Sequence, residues 1–111
     1  MKTASIFRDL QFDDHKPAIT LLMETDFTKE IRIVFQKGQC MDEHTAPFPI
    51  TVEVAKGAID FGVNGEVHLL GSGDMISLSG NVPHDLKAVN DSVVRLTLSK
   101  GDKAERVRRA V

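Results

Sequence analysis

The sequence predicts an all-β domain folded as a single antiparallel barrel of about eight strands. Short runs rich in β-branched residues recur every eight to twelve residues along the chain, and turn-forming residues separate them. Helical periodicity is largely absent. The 111 residues, 41% of them apolar, suffice for one hydrophobic core but not for two ordinary domains. We therefore expect one domain, without a disulfide.

Alternation of apolar and polar residues identifies the strands of the first half. Residues 18–24 form a β-rich run that ends at a turn over 26–29. Residues 30–36 carry isoleucine, isoleucine and phenylalanine at alternate positions, which predicts one core-facing side. A Pro-Phe-Pro bend precedes residues 50–55, where isoleucine, valine and valine alternate in the same way.

A hairpin and three further strands make up the second half. Residues 58–63 and 66–70 flank Asn64 and Gly65, a pair that suits a two-residue type I′ turn because both residues tolerate a positive φ. The remaining predicted strands, each entered through a turn rich in Gly, Pro or Asn, are residues 75–78, 84–89 and 93–99.

Two segments flank the barrel, which we place at residues 18–99. Residues 1–17 form an amino-terminal arm with more apolar bulk than a free terminus needs, so we expect it to pack on, or add a strand to, a neighbouring subunit. Residues 100–111 form a basic tail that we expect to be solvated, with contact to an anionic partner as the alternative. The apolar residues of the arm are Ile6, Phe7, Leu10 and Phe12, and the basic residues of the tail are Lys100, Lys103, Arg106, Arg108 and Arg109.

Composition excludes several functional classes. Residues 1–99 hold nine basic and fourteen acidic side chains, and the chain has no Trp or Tyr, so a stacking platform for nucleic acid is not expected. No run of about 18 apolar residues could span a membrane. A single cysteine, Cys40, and the lack of a signal-like apolar run predict a cytoplasmic protein.

Two histidines stand at motif-like distances from glycines. Gly38 and His44 are spaced G-x5-H, His44 and Gly57 are spaced H-x12-G, and Gly73 leads to His84 as G-D-x9-H. Over residues 38–99 this pattern resembles the two motifs of the cupins, in particular the small single-domain, RmlC-like members. The resemblance implies a cupin or jelly-roll β-barrel and a homodimer.

In cupins, two histidines and a glutamate of the first motif and one histidine of the second usually hold one divalent metal. His44 and His84 match the first and last of these positions, whereas Ala46 and Ile50 stand where the second histidine and the glutamate are usual. Neither alanine nor isoleucine can coordinate a metal. The resemblance therefore implies a degenerate site, with either no cofactor or one divalent transition metal on a reduced ligand set.

Strand parity suggests where a further metal ligand would come from. Cys40 and Asp42 share the even-numbered face with His44 if this segment is extended, and His68 shares a face with Leu70. His68 is also interpretable as a surface residue of a half-buried strand. The metal candidates are thus His44 and His84, followed more weakly by His68, Asp42 and Cys40.

The two histidines also suit a pocket without metal, because a neutral imidazole donates one hydrogen bond and accepts another. We expect apolar walls around them, which are typical of small-ligand sites. The predicted binding pocket consists of His44, His84, Ile50, Val52, Leu78 and Leu86.

Three functions remain open at this point. We prefer a small-molecule or glycan-like ligand bound in the barrel without catalysis. The main alternative is a metal-dependent enzyme of dioxygenase or isomerase type, and the third is an interaction module whose function lies on its outer sheet. The fold does not choose among them, because one fold hosts many functions.

Overall fold

Nine strands form two antiparallel sheets that pack face to face in the computed structural model, which describes residues 1–111. The five-stranded sheet has the order β1-β2-β9-β4-β7, and the four-stranded sheet has the order β3-β8-β5-β6. This confirms the predicted all-β, antiparallel fold class. The strands are β1 (Ala18–Glu24), β2 (Thr28–Phe35), β3 (Cys40–His44), β4 (Ile50–Lys56), β5 (Ala58–Val63), β6 (Glu66–Gly71), β7 (Met75–Leu78), β8 (His84–Ala88) and β9 (Ser92–Ser99).

The eight predicted strands are all present, and β3 is the additional one. Its sequence, Cys-Met-Asp-Glu-His, buries only Met41 deeply, so it has no alternation that periodicity could detect. The predicted hairpin between β5 and β6 is also confirmed. Asn64 and Gly65 adopt φ values of 53° and 76°, as a type I′ turn requires.

The core lies between the two sheets and consists of 18 buried apolar residues. The alternation in β2 acts as predicted, because Ile31, Ile33 and Phe35 are at most 2% exposed and belong to this core. Inward-facing residues of β4 and β9 meet them from the same sheet, and Phe61 and Leu86 approach from the other. His44 of β3 and His84 of β8 lie beside a cavity that this core borders.

The amino-terminal arm lies against its own chain. Arg32, on the outer face of β2, donates hydrogen bonds from Nη1 to the carbonyl oxygens of Ile6 and Arg8 at 3.3 and 2.8 Å. The arm thereby buries Arg32 to 6% exposure. It forms no strand, while Phe7 and Phe12 remain 48% and 44% exposed.

The prediction of a solvated basic tail is wrong. Residues 100–111 pack across the end of the barrel and contain the only helix, α1 (Ala104–Arg108). Val107 of this helix is 1% exposed and joins the core, and Lys29 donates from Nζ to the carbonyl oxygen of Asp102. The tail is held because its few apolar residues all face the barrel. At five residues, α1 is too short to cross a membrane, and the structure has no other helix.

Candidate functional site

A β-bulge places the two histidines opposite each other. Met41 of β3 pairs with Leu86 of β8, and His44 pairs with His84. The two pairs are three residues apart on β3 but only two residues apart on β8. One extra residue on β3 shifts the alternation of that strand. As a result Met41 and His44 both face the barrel interior.

The two imidazole rings touch. Their centroids are 4.3 Å apart and the ring planes are inclined by 59°. His84 also stacks on Phe61, with a centroid distance of 5.6 Å and an interplanar angle of 6°. His84 is 3% exposed, whereas His44 is half-buried, so the pair spans the distance from the core to the mouth of the barrel.

Each ring is held in one tautomer by a backbone carbonyl. Nδ1 of His44 lies 2.7 Å from the carbonyl oxygen of Asp42, and Nδ1 of His84 lies 2.8 Å from that of Val82. Because a carbonyl oxygen only accepts, each Nδ1 carries the hydrogen, and the neutral ring offers Nε2 as an acceptor. No protein group hydrogen-bonds to either Nε2.

His84 is electrically neutral at physiological pH. Burial lowers its pKa below the ordinary value of 6.5, and the neighbouring His44 and Arg106 act in the same direction. The hydrogen bond to the Val82 carbonyl opposes this shift without reversing it. His84 Nε2 is therefore a hydrogen-bond acceptor.

The rings line a mainly apolar cavity of about 310 Å³, counted with the part that is open to solvent. The space inside it that admits the centre of a water molecule is about 10 Å³, which is room for roughly one water. Seven of the ten lining residues are hydrophobic. The lining residues are Ile33, Met41, His44, Ile50, Val52, His84, Leu86, Val94, Leu96 and Arg106.

Five of the six residues predicted for the pocket line this cavity, and Leu78 does not. Leu78 pairs with Ile50 but lies on β7, the edge strand of its sheet, one strand further from the histidines. It is half-buried and packs against the core instead.

The prediction missed five lining residues. Ile33, Val94 and Leu96 share the inner faces of strands whose alternation was recognised, so that signal could have identified them. Met41 was hidden by the bulge. Arg106 was hidden by its position in a terminus interpreted as solvated, although its four-residue spacing from an aspartate is a helical ion-pair signal.

The suggested additional metal ligands are not near the histidine pair. Because of the bulge, Cys40 and Asp42 are exposed and do not share the inner face with His44, so the parity prediction is wrong for both. His68 is exposed on the edge strand β6, where its Nε2 lies 3.6 Å from Oε2 of Glu66. No group of three His, Cys, Asp or Glu side chains is positioned to hold a metal ion.

The donor set at the histidine pair does not fit the metal that the cupin resemblance implies. A catalytic zinc takes about three protein ligands plus water, and here only two histidines lie together, without a third His, Cys, Asp or Glu beside them. Ala46 and Ile50, at the positions where cupins usually carry two further ligands, are buried to 3% and 4% exposure. Both belong to the apolar core, and Ile50 also lines the cavity.

No protein-family model matches this chain, and no curated protein matches it. Solved structures, in contrast, include many similar ones. An RmlC-like cupin protein from Desulfovibrio desulfuricans superposes with a TM-score of 0.80 at 24% identity, covering 90% of this chain and 97% of the other. An uncharacterised protein with a double-stranded β-helix domain from Klebsiella pneumoniae also gives 0.80, at 18% identity, with 92% and 88% covered.

KdgF from Halomonas sp. gives a TM-score of 0.74 at 20% identity, with 90% of this chain and 94% of the other covered. An RmlC-like cupin from Shewanella frigidimarina gives 0.76 at 18% identity, with 91% and 93% covered. The chain therefore has the RmlC-like cupin fold, as its two motifs suggested. At these identities the similarity concerns the fold and not the ligand.

Proposed function

We propose that this cupin-fold chain binds a small molecule, polar or glycan-like, in the cavity around His44 and His84. The observation that carries the proposal is the pair of touching imidazoles, each fixed by a carbonyl at Nδ1 and each with a free Nε2. No protein group occupies either Nε2, so both are available to a ligand at the mouth of the cavity. A bound hydroxyl or amide N–H supplies a donor for such a nitrogen.

The chemistry of the cavity limits the ligand. A hydroxyl group donates to the Nε2 acceptor of His84, and hydrocarbon parts of the ligand lie against the aliphatic walls such as Ile50 and Val52. Each hydrogen bond of this type contributes about 0.5–1.5 kcal/mol net. Because the enclosed space holds roughly one water, any larger ligand must occupy the part of the cavity that is open to solvent.

The metal-dependent alternative has less support because only two possible ligands, His44 and His84, lie together. Elemental analysis of protein purified without a histidine tag separates the two functions. About one Fe, Mn, Ni, Cu or Zn per chain would support the enzyme. A metal content near zero that stays low after reconstitution supports metal-free binding.

The binding proposal is tested by NMR of the imidazole nitrogens in ¹⁵N-labelled protein. Monosaccharides, short polyols and small acids and amides are titrated in turn. We expect at least one of them to shift the Nε2 signals of His44 and His84 and to leave exposed His68 unchanged. His84→Asn should lower the affinity for that compound about five- to tenfold, since one hydrogen bond is lost. The control His68→Asn should leave the affinity unchanged. If the whole panel leaves both imidazoles unshifted, the proposal loses its support.

We also propose that the chain forms a homodimer, which the cupin resemblance implies. The exposed rings of Phe7 and Phe12 on the arm support this, since aromatic side chains are enriched in the buried parts of interfaces. Light scattering coupled to size exclusion should give twice the 12.2 kDa chain mass. Replacing both rings with serine should shift the mass to that of one chain.

A further inference from the structure

Arg106 brings a permanent positive charge to the cavity from outside the barrel strands. It lies on α1, and with His44 and His84 it completes the set of polar side chains that line the cavity. No carboxylate is among the lining residues. The cavity thus combines aliphatic walls, one guanidinium and two imidazoles.

The guanidinium is held rigidly by groups behind it. Nε and Nη2 of Arg106 each lie 2.8 Å from an oxygen of the Asp102 carboxylate, and Nη1 donates to the Thr45 carbonyl oxygen at 3.2 Å. The Asp102 side chain is 1% exposed and that of Arg106 is 21% exposed. These bonds use three of the five N–H groups, so one N–H on each terminal nitrogen is left.

We infer that the ligand of this cavity is a small monocarboxylate whose charged end binds Arg106 and whose remaining polar group binds the imidazole pair. This inference rests on the proposed function and narrows it to one chemical class. Two N–H groups on a planar guanidinium match the two oxygens of a carboxylate. A neutral ligand would displace water from these partly exposed N–H groups without offering them a charged acceptor.

A dianion such as phosphate fits less well. With only two guanidinium N–H groups available and the neutral His84 Nε2 acting as an acceptor, a doubly charged group would lose more hydration than the cavity replaces. A 2-hydroxy acid has the matching set of groups, since its carboxylate accepts from Arg106 and its hydroxyl donates to an imidazole. The unbranched side chain of Met41 borders the cavity and can adapt to such a ligand.

The test compares carboxylates with neutral amides of nearly the same shape. Lactate and isobutyrate are titrated against lactamide and isobutyramide, with inorganic phosphate as the dianion, and binding is followed at the imidazole nitrogens. We expect lactate to bind at least tenfold more tightly than lactamide and more tightly than isobutyrate. Phosphate should bind more weakly than lactate.

Variants connect this preference to Arg106. Arg106→Gln alone leaves Asp102 buried without its partner and can unfold the chain, so the informative variant is the double change Asp102→Asn with Arg106→Gln, in which two amides replace the ion pair. It should bind lactate at least tenfold more weakly while its affinity for lactamide stays within about twofold. The control is Arg108→Gln, which removes an exposed charge from the same helix outside the cavity and should leave both affinities unchanged.

The outcomes separate the inference from the function on which it rests. Equal affinity for lactate and lactamide, or an unchanged lactate preference in the double variant, overturns the role of Arg106 while binding at the histidines stands. Loss of lactate binding in Arg108→Gln assigns the effect to surface charge and also overturns it. If neither these acids and amides nor any polyol or sugar shifts the two imidazoles, the proposed function itself fails.

Discussion

Acidification should weaken the fold through His84, and the size of the effect follows from its burial. Burial lowers the pKa of His84 in the folded chain, whereas the unfolded chain titrates near 6.5. Below pH 6.5 the unfolded state therefore takes up a proton that the folded state does not. This contribution to stability is fully present above the unfolded pKa and decreases as the pH falls, until the folded pKa is passed.

The largest expected loss can be calculated for one proton. At pH 5.5, protonation of the unfolded chain alone removes up to about 1.4 kcal/mol from the free energy of unfolding. His84→Asn keeps a donor for the Val82 carbonyl but has no titrating group. It loses the stacking on Phe61, so we expect it to be about 1–2 kcal/mol less stable at pH 7.5 and less sensitive to acid.

Urea unfolding at pH 7.5 and 5.5 provides the assay. Far-UV circular dichroism is suitable because the chain has no Trp or Tyr for fluorescence. The control is His15→Asn, an exposed histidine in the arm, which should follow the wild type. If His84→Asn and the wild type lose the same free energy between these pH values, His84 is not a buried neutral group and the argument is refuted.

Two further predictions concern the helix and the metal. Val107→Ala should lower the free energy of unfolding by about 2 kcal/mol, because it removes two buried methyl groups. Val89→Ala, at a partly exposed position, should cost less than about half of that. Equal effects of the two substitutions in urea unfolding would contradict the packing of α1. Ala46→His combined with Ile50→Glu restores the two ligand types usual in cupins. This double variant should bind about one Zn²⁺ or Ni²⁺ per chain, measured by calorimetry, and adding His84→Asn to it should abolish the binding. Equally tight metal binding by the unchanged chain would show that the donor-set argument is wrong.

The barrel was predictable because most of its strands have one buried face, which leaves a period of two in the sequence. The same signal could not find β3, since only Met41 of its five residues is deeply buried. The bulge in β3 also reversed the parity used for Cys40 and Asp42. A single inserted residue moves every following side chain to the other face, and no local property of this segment announces it.

The histidine pair was predictable from the cupin-like spacing, but the cation beside it was not. Arg106 comes from the one part of the chain that looked like a solvated terminus. Its placement depends on Val107 entering the core and on Asp102 becoming buried, which are tertiary events. Because five of the twelve tail residues are basic, the average composition conceals the four apolar residues that pack on the core and the one buried ion pair.

The arginine and the missing metal ligands lead to the same electrostatic conclusion. A divalent cation at the histidine pair would lie nearer to the Arg106 guanidinium, which lines the cavity, than to the Asp102 carboxylate behind it, and like charges repel each other. The same guanidinium attracts a carboxylate. Removing the Arg106 charge should therefore weaken the binding of lactate and strengthen any residual metal binding at His44 and His84. Opposite shifts of the two affinities in the double variant at 102 and 106 would support both arguments at once, because a general loosening of the fold would weaken both ligands.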